Sequence, residues 1–143
     1  MRELLIAEDV RAYYRQGLSG FIRAVDGVTL TVREGEILGI AGESGCGKST
    51  LAMALASVAR WPLCVKGGHL LVEGTEVPME ATSGRNGSHR GQLVSLMPQG
   101  AMNSLNPTQT VRDFVFDVLR SHDPAVTRKA AVRLAHERLA KLD

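Results

Sequence analysis

A run of eight residues in the first half of the chain has the types and spacing needed to hold phosphate. It matches G-x-x-x-x-G-K-[ST] at every fixed position and consists of Gly42, Glu43, Ser44, Gly45, Cys46, Gly47, Lys48 and Ser49. Glycines let the backbone curl, so that successive N–H groups point at phosphate oxygens. We expect Lys48 to reach the β- and γ-phosphates of a nucleoside triphosphate, and the hydroxyl of Ser49 to coordinate Mg²⁺.

The segments on either side of this loop have the patterns of a strand and a helix. Ile37–Ala41 is a short apolar run followed by glycine, which is typical of a buried parallel strand. Lys48–Arg60 has apolar residues at helical spacing, and Trp61-Pro62 ends it. The positive N-terminal end of such a helix would add to the attraction for phosphate. Kinases, GTPases and transport ATPases share this arrangement, so the loop alone does not choose among them.

Strand patterns lie before and after the loop. Leu4–Tyr14 and Ala24–Val32 predict a hairpin with its turn at 15–22, because apolar residues partly alternate in both. Further on, the pattern indicates a strand within Gly67–Val77, a loop over 81–89 and a second buried strand at 93–97.

The last third of the chain predicts two helices. Thr110 can cap the first, with Asp113 three residues on, and the apolar stripe is Val111, Phe114, Val115, Val118 and Leu119. Asp123-Pro124 suits the start of the second helix, since Asp is a good cap and Pro fits the first turn. Its apolar face comprises Ala131, Leu134, Ala135 and Leu142.

Composition and charge exclude several classes of function. Hydrophobic residues make up 44% of the chain, so a packed core is expected. The 17 basic and 15 acidic residues are scattered, which gives no electrostatic argument for nucleic acid. No run approaches the roughly 20 apolar residues that span a bilayer, and the N-terminus does not resemble a signal peptide. Cys46 and Cys64 are expected as free thiols in a reducing cytosol.

The chain resembles the nucleotide-binding domains of ABC transporters. Gly42–Thr50 is similar to their Walker A motif, including the last residue, Thr50. Asp9–Tyr14 and Ala24–Val28 resemble their first hairpin. In that family an aromatic residue at the end of the first strand stacks on adenine. The resemblance assigns this position to Tyr14, with Tyr13 as the alternative, and it places Val25 near the same ring.

A second part of the resemblance lies downstream. Arg90-Gly91, the apolar run 93–97 and then Pro98-Gln99 resemble the approach to the family's Q-loop. This implies that Gln99 contacts Mg²⁺ or the attacking water, and that it relays the nucleotide state to the membrane subunits. Lys48 and Gln99 are thus the catalytic candidates, and Ser49 and Gln99 the metal ligands.

The residues after Gln99 point to a group within the family. Ser-Leu-Asn-Pro at 104–107 resembles importers of oligopeptides, dipeptides and nickel. That group commonly has an acidic residue and a proline directly after the glutamine, where this chain has Gly100-Ala101. Relatives with similar loops carry oligosaccharides, so peptide is the leading of several expected cargoes.

The fold class that the resemblance implies is α/β, with a P-loop NTPase (RecA-like) core. The expected divisions are a β-hairpin subdomain at 1–35, part of the core at 36–99, and the Q-loop with the start of a helical subdomain at 100–143. The family's glycine-rich signature, Walker B aspartate, catalytic glutamate and switch histidine are not found. The chain therefore resembles about the first half of the family's domain, a truncated form.

The resemblance also implies partners and a location. The intact protein would be an ATPase at the cytoplasmic face of the membrane, bound to transmembrane permease subunits. It would pair with a second ATP-binding subunit as a homo- or heterodimer, with ATP and Mg²⁺ between them. Two other readings stay open. One is a different P-loop kinase or GTPase, and the other is a nucleotide-binding fragment without catalysis of its own.

Overall fold

The chain forms two compact units, Met1–Leu96 and Met97–Asp143. The computed structural model describes residues 1–18, 20–80, 90–100 and 105–141. The loop expected at 81–89, the side chain of Ser104 and that of Leu142 lie outside the described residues. The subdomain bounds expected at 35/36 and 99/100 stay predictions.

The first unit is built on a four-stranded antiparallel sheet with strand order β2-β1-β3-β4. The hairpin predicted before the phosphate loop is confirmed as β1 and β2, but the turn predicted at 15–22 is too long, because β1 extends to Gln16 and β2 begins at Gly20. The turn at Glu73-Gly74 joins β3 to β4. The bounds are Glu3–Gln16 for β1, Gly20–Arg33 for β2, Lys48–Leu55 for α1, Leu63–Val72 for β3 and Thr75–Glu76 for β4.

One face of this sheet is covered and the other is open to solvent. Side chains of β1 and β3 on the covered face are almost completely buried, and α1 contributes Leu51 and Ala54 to the same core. Antiparallel sheets commonly have one packed and one solvated face. The sheet thereby supports the helix that follows the phosphate loop.

A bulge in β1 decides which residues face this core. Asp9 has a left-handed φ of 48° and its N–H donates to Oγ1 of Thr29 at 3.0 Å. Gly68 of β3 lies against it, so closely that a Cβ there would be 2.6 Å from the carbonyl oxygen of Asp9. The bulge inserts one extra residue into β1 relative to both neighbouring strands. Beyond it, alternate residues from Val10 to Tyr14 lie on the core face.

The prediction of two buried parallel strands is wrong. Ile37–Ala41 has no strand pairing, and the side chain of Ile37 is 97% exposed. In 93–97 there is only a single bridge, from Val94 to Arg90, and Leu93 is 50% exposed. A strand exists only with a hydrogen-bonded neighbour, and the described residues give neither segment a neighbouring strand. All pairing among the four named strands is antiparallel, so the expected parallel core is not seen in the described residues.

Helix α1 is also shorter than predicted, since it ends at Leu55 and not at Arg60. The N–H of Val58 bonds to the carbonyl of Met53 at 3.0 Å, and that of Ser57 to Ala54 at 2.9 Å. These two bonds form a Schellman motif, in which the residue after the cap is left-handed. That residue is Ser57, with φ of 58°. The apolar period continues past this point, but the backbone has already turned out of the helix.

The second unit contains two packed helices, α2 over Val111–His122 and α3 over Arg128–Leu139. The predicted cap of α2 is confirmed, since the hydroxyl of Thr110 accepts the N–H of Asp113 at 3.2 Å. The start predicted for α3 at Asp123 is wrong. The carboxylate of Asp123 accepts the N–H of Ala125 in a turn, and Thr127 caps the helix instead. Within the described ranges, no helix combines the length and apolar character needed to cross a membrane.

Candidate nucleotide-binding site

The predicted phosphate loop is an exposed turn that leads directly into α1. Gly45 and Gly47 have left-handed φ values of 81° and 97°, which suit glycine because it has no Cβ. The N–H of Cys46 donates to the carbonyl of Glu43 at 3.3 Å. Within the described residues, the N–H groups of Gly45, Gly47, Lys48 and Ser49 donate to no backbone carbonyl. Several adjacent donors in a curved loop are therefore open to an anion.

The N-terminus of α1 adds to this character. Its cap residue, Gly47, makes no side-chain capping bond, and no acidic residue lies in the first turn. No carboxylate of the first turn therefore offsets the partial positive charge at this helix end. Phosphate binds readily at a helix terminus of this kind.

Lys48 lies across the loop. Its Nζ donates to the carbonyl oxygens of Gly42 at 2.8 Å and Glu43 at 2.6 Å, and lies 3.4 Å from Sγ of Cys46. These contacts place the ammonium group at the same loop as the open N–H groups. A positive charge and a set of convergent amides are the two features that bind a triphosphate in P-loop proteins.

The phosphate loop packs against the backbone of β2. A Cβ on Gly47 would lie 2.2 Å from the carbonyl oxygen of Ala24 and 3.6 Å from Cγ2 of Val25. Real Cβ atoms do not approach backbone oxygen so closely, so glycine is required here for packing as well as for its left-handed φ. Val25 itself is only 5% exposed and belongs to the core. Its predicted contact with the base stays a prediction.

The two adjacent tyrosines lie on opposite faces of the sheet. Tyr14 is half-buried on the core face, and its hydroxyl lies 3.3 Å from Oγ1 of Thr50 in the first turn of α1. Tyr13 is on the open face, where its hydroxyl donates to Asp26 and the guanidinium of Arg23 lies 5.8 Å from its ring centroid. The hydrogen bond raises the pKa of Tyr13 and lowers the pKa of Asp26. The structure therefore brings Tyr14, and not Tyr13, next to the phosphate loop.

The two predicted metal ligands fall in different units. Ser49 is exposed in the first turn of α1, beside Lys48. Gln99 is exposed in a turn of the second unit, just before Gly100 with φ of 73°. The described residues contain no group of three His, Cys, Asp or Glu side chains that would hold a metal ion. A magnesium ion here fits the pattern in which one hydroxyl ligand is combined with phosphate oxygens and waters.

Sequence reasoning missed one residue near the site. Ile22 was assigned to a turn, but it lies in β2 directly opposite Tyr14. Simple alternation back from Val25 would put residues 23 and 21 on the core face. A bulge at Ala24 shifts that count by one, because Val25 pairs with Ala12 while Arg23 pairs with Tyr13. No signal in the sequence marks this bulge.

The chain is similar to proteins of one known family. The family model described as ABC transporter matches residues 25–143. The oligopeptide transport ATP-binding protein OppF of Lactococcus lactis subsp. lactis (strain IL1403) is 33% identical over 129 residues, covering 86% of this chain and 39% of the relative. The putative oligopeptide transport ATP-binding protein YkfD of Bacillus subtilis (strain 168) is 32% identical over 136 residues, covering 95% of this chain and 40% of the relative.

A third relative comes from another bacterium. The oligopeptide transport ATP-binding protein OppF of Escherichia coli (strain K12) is 36% identical over 112 residues, covering 76% of this chain and 30% of its own length. The chain thus spans two fifths or less of the length of these relatives. The family match extends over most of the chain and includes the loop, its lysine and Gln99. The chain belongs to the ABC transporter family.

Proposed function

We propose that the chain binds Mg-ATP through the phosphate loop and is the ATP-binding part of an ABC transporter. The observation that carries the proposal is the exposed loop 42–47, which joins free backbone N–H groups, the uncapped N-terminus of α1 and the ammonium of Lys48. In this proposal the loop amides and Lys48 hold the triphosphate, and Ser49 holds Mg²⁺. The bound metal ion would supply neutralisation of the phosphate charge.

Removing the lysine charge tests this assignment. Lys48→Ala removes charge-assisted contacts worth about 1.5–3 kcal/mol, so affinity for ATP should fall about tenfold or more. Isothermal titration calorimetry with ATP and with inorganic tripolyphosphate measures the loss. Lys66→Ala is the matched control, because Lys66 lies over the ring of Phe21 at 4.0 Å and not at the loop. Unchanged affinity in a folded Lys48→Ala variant would contradict the proposal.

We further propose that the whole protein energises transport across a membrane, with peptides as the first cargo to test. Resemblance at 104–107 and relatives that carry the name of oligopeptide transport support this choice. In the proposal the protein works at the cytoplasmic face, attached to permease subunits and paired with a second ATP-binding subunit. Uptake of labelled peptides by cells, with and without the intact gene, tests the cargo. If the gene alters the uptake of nickel or an oligosaccharide and not that of peptides, the peptide would be replaced as the proposed cargo.

Gln99 has a separate role in this proposal. Gln99 is polar and exposed. In the proposal it contacts Mg²⁺ or water, and its position changes with the nucleotide state in a way that the permease detects. Gln99→Ala in the whole protein should leave ATP binding in place and weaken cargo-stimulated hydrolysis. Normal cargo-stimulated hydrolysis by that variant would remove the role.

For the 143-residue chain itself we propose binding without hydrolysis. Phosphoryl transfer to water needs a residue that orients the nucleophile and charge around the γ-phosphate. The chain supplies Lys48, Ser49 and Gln99, but no glutamate at a Walker B position has been identified. A phosphate-release assay on the purified monomer should give only background. Turnover that Lys48→Ala abolishes would show that a general base lies within the chain.

A further inference from the structure

We propose that Ile22 forms the apolar wall of the nucleobase site beside Tyr14, so that contact with this side chain contributes to nucleotide affinity. The inference rests on the proposed function, because it concerns the base of a nucleotide whose phosphates lie at the loop. It assigns a role to a residue that the sequence placed in a turn.

The first support is the register of the hairpin. Ile22 and Tyr14 are direct partners across β1 and β2. Directly opposite residues of an antiparallel pair project from the same face, with their Cβ atoms about 4.5–5.5 Å apart. Tyr14 is on the face that carries α1, as its hydrogen bond to Thr50 shows. The side chain of Ile22 is therefore on that face as well, next to the ring.

The second support is the exposure of Ile22. Ile22 is 51% exposed, whereas the apolar residues of β2 further along the same face are buried or partly buried in the core. Val25 is 5% exposed, and its Cγ2 lies beneath Gly47. Ile22 is thus an apolar side chain on the face of the sheet that carries α1, and it is exposed to solvent at the point where the core ends. Val25 offers a ligand little surface, and Ile22 offers much more.

The third support is the position of the phosphate loop relative to the ring of Tyr14. Gly47 contacts the carbonyl of Ala24, and the hydroxyl of Tyr14 contacts Thr50. The ring of Tyr14 therefore extends from the first turn of α1 back to β1, where Ile22 is its partner. A nucleotide with its phosphates at the loop and its base along this ring meets Ile22 next. Isoleucine has no polar atom in its side chain, so it contacts the base without selecting between adenine and guanine edges.

The experiment separates the base from the phosphates. Calorimetry with ATP, GTP and inorganic tripolyphosphate is performed on the wild-type chain, Ile22→Ala, Ile22→Val and Phe21→Ala. Ile22→Ala should weaken ATP and GTP about three- to tenfold, in keeping with the apolar area that it removes. Ile22→Val, which keeps the branched carbons, should restore most of that loss. Phe21→Ala is the matched control, because Phe21 is the preceding residue of the same strand on the opposite face.

Tripolyphosphate decides the interpretation. Its affinity should be the same in the wild type and in Ile22→Ala, since it has no base. Equal ATP affinity in the wild type and Ile22→Ala, or an equal loss for tripolyphosphate, would overturn the inference while the phosphate site stands. A folded wild-type chain that binds neither ATP nor tripolyphosphate would remove the proposed function, and the inference with it.

Discussion

The hydroxyl of Tyr14 in β1 lies 3.3 Å from Oγ1 of Thr50 in the first turn of α1. This contact joins the sheet to the helix directly behind the phosphate loop. Thr50 is 6% exposed, so the bond lies at the edge of the core, where water competes little with it. The ring and the hydroxyl of Tyr14 therefore have separable roles.

Substitutions at Tyr14 should separate these roles. Tyr14→Phe keeps the ring and loses one hydrogen bond, so the free energy of unfolding should fall by about 0.5–1.5 kcal/mol while nucleotide affinity stays close to the wild type. Tyr14→Ala removes the ring and should weaken ATP and GTP alike, because stacking reads the face of a base and not its edge. Urea denaturation and calorimetry measure the two effects. A large loss of ATP affinity in Tyr13→Ala, with Tyr14→Ala silent, would show that the other tyrosine meets the base.

Two glycines of the phosphate loop provide a matched pair. Both have left-handed φ, but a Cβ on Gly45 would meet nothing within 4 Å, whereas one on Gly47 would meet Ala24 at 2.2 Å. Gly45→Ala should cost only the conformational strain, about 1–2 kcal/mol. Gly47→Ala should cost more and should also displace the loop, with loss of ATP binding. Similar stability and affinity in the two variants would argue against the packing of the loop on β2.

Ser57 offers a route to a more stable chain. Its φ of 58° suits glycine, and its Oγ is buried without a hydrogen-bond partner among the described residues. Ser57→Gly should raise the free energy of unfolding by about 1 kcal/mol, because it relieves the left-handed strain and removes a buried unpaired hydroxyl. Ser57→Ala, which removes the hydroxyl but keeps the Cβ, should gain less. Thermal melts of the two variants provide the comparison, and a lower midpoint for Ser57→Gly would contradict it.

His69 should titrate above its ordinary range. Its Nδ1 lies 2.7 Å from Oε1 of Glu76, and this hydrogen bond, with the negative charges of Glu76 and Glu8, raises the pKa of His69 above 6.5. Protonated His69 therefore stabilises the β3–β4 hairpin. That contribution is complete below pH 6.5 and is lost as the pH rises through the raised pKa. An NMR titration of the imidazole should show a lower midpoint in Glu76→Gln, and an unchanged midpoint would show that the pair is not formed.

Some elements of the fold and of the candidate site could be predicted from the sequence, and others could not. The turn that leads into α1 at Lys48, the first hairpin and the Thr110 cap were predicted correctly, because each depends on residues close together in the chain. The strands expected at 37–41 and 93–97 were not, because a buried parallel strand depends on neighbours that are distant in sequence. The choice between Tyr13 and Tyr14 came from the resemblance, and the structure gives it a physical basis in the face that each ring occupies. The position of Ile22 on the core face of β2 was not predicted, because a bulge breaks the alternation on which strand predictions depend.

The bulge at Asp9 decides which of the two adjacent tyrosines faces α1. Every residue of β1 after Asp9 owes its face to that one additional residue, and the close approach of Gly68 keeps the irregularity in place. If β1 kept all of its residues but paired without this bulge, each side chain after Asp9 would lie on the opposite face. Tyr13 would then lie towards Thr50, and Tyr14 would turn to solvent. One additional residue in β1 thus selects which of two chemically identical rings lies next to the first turn of α1.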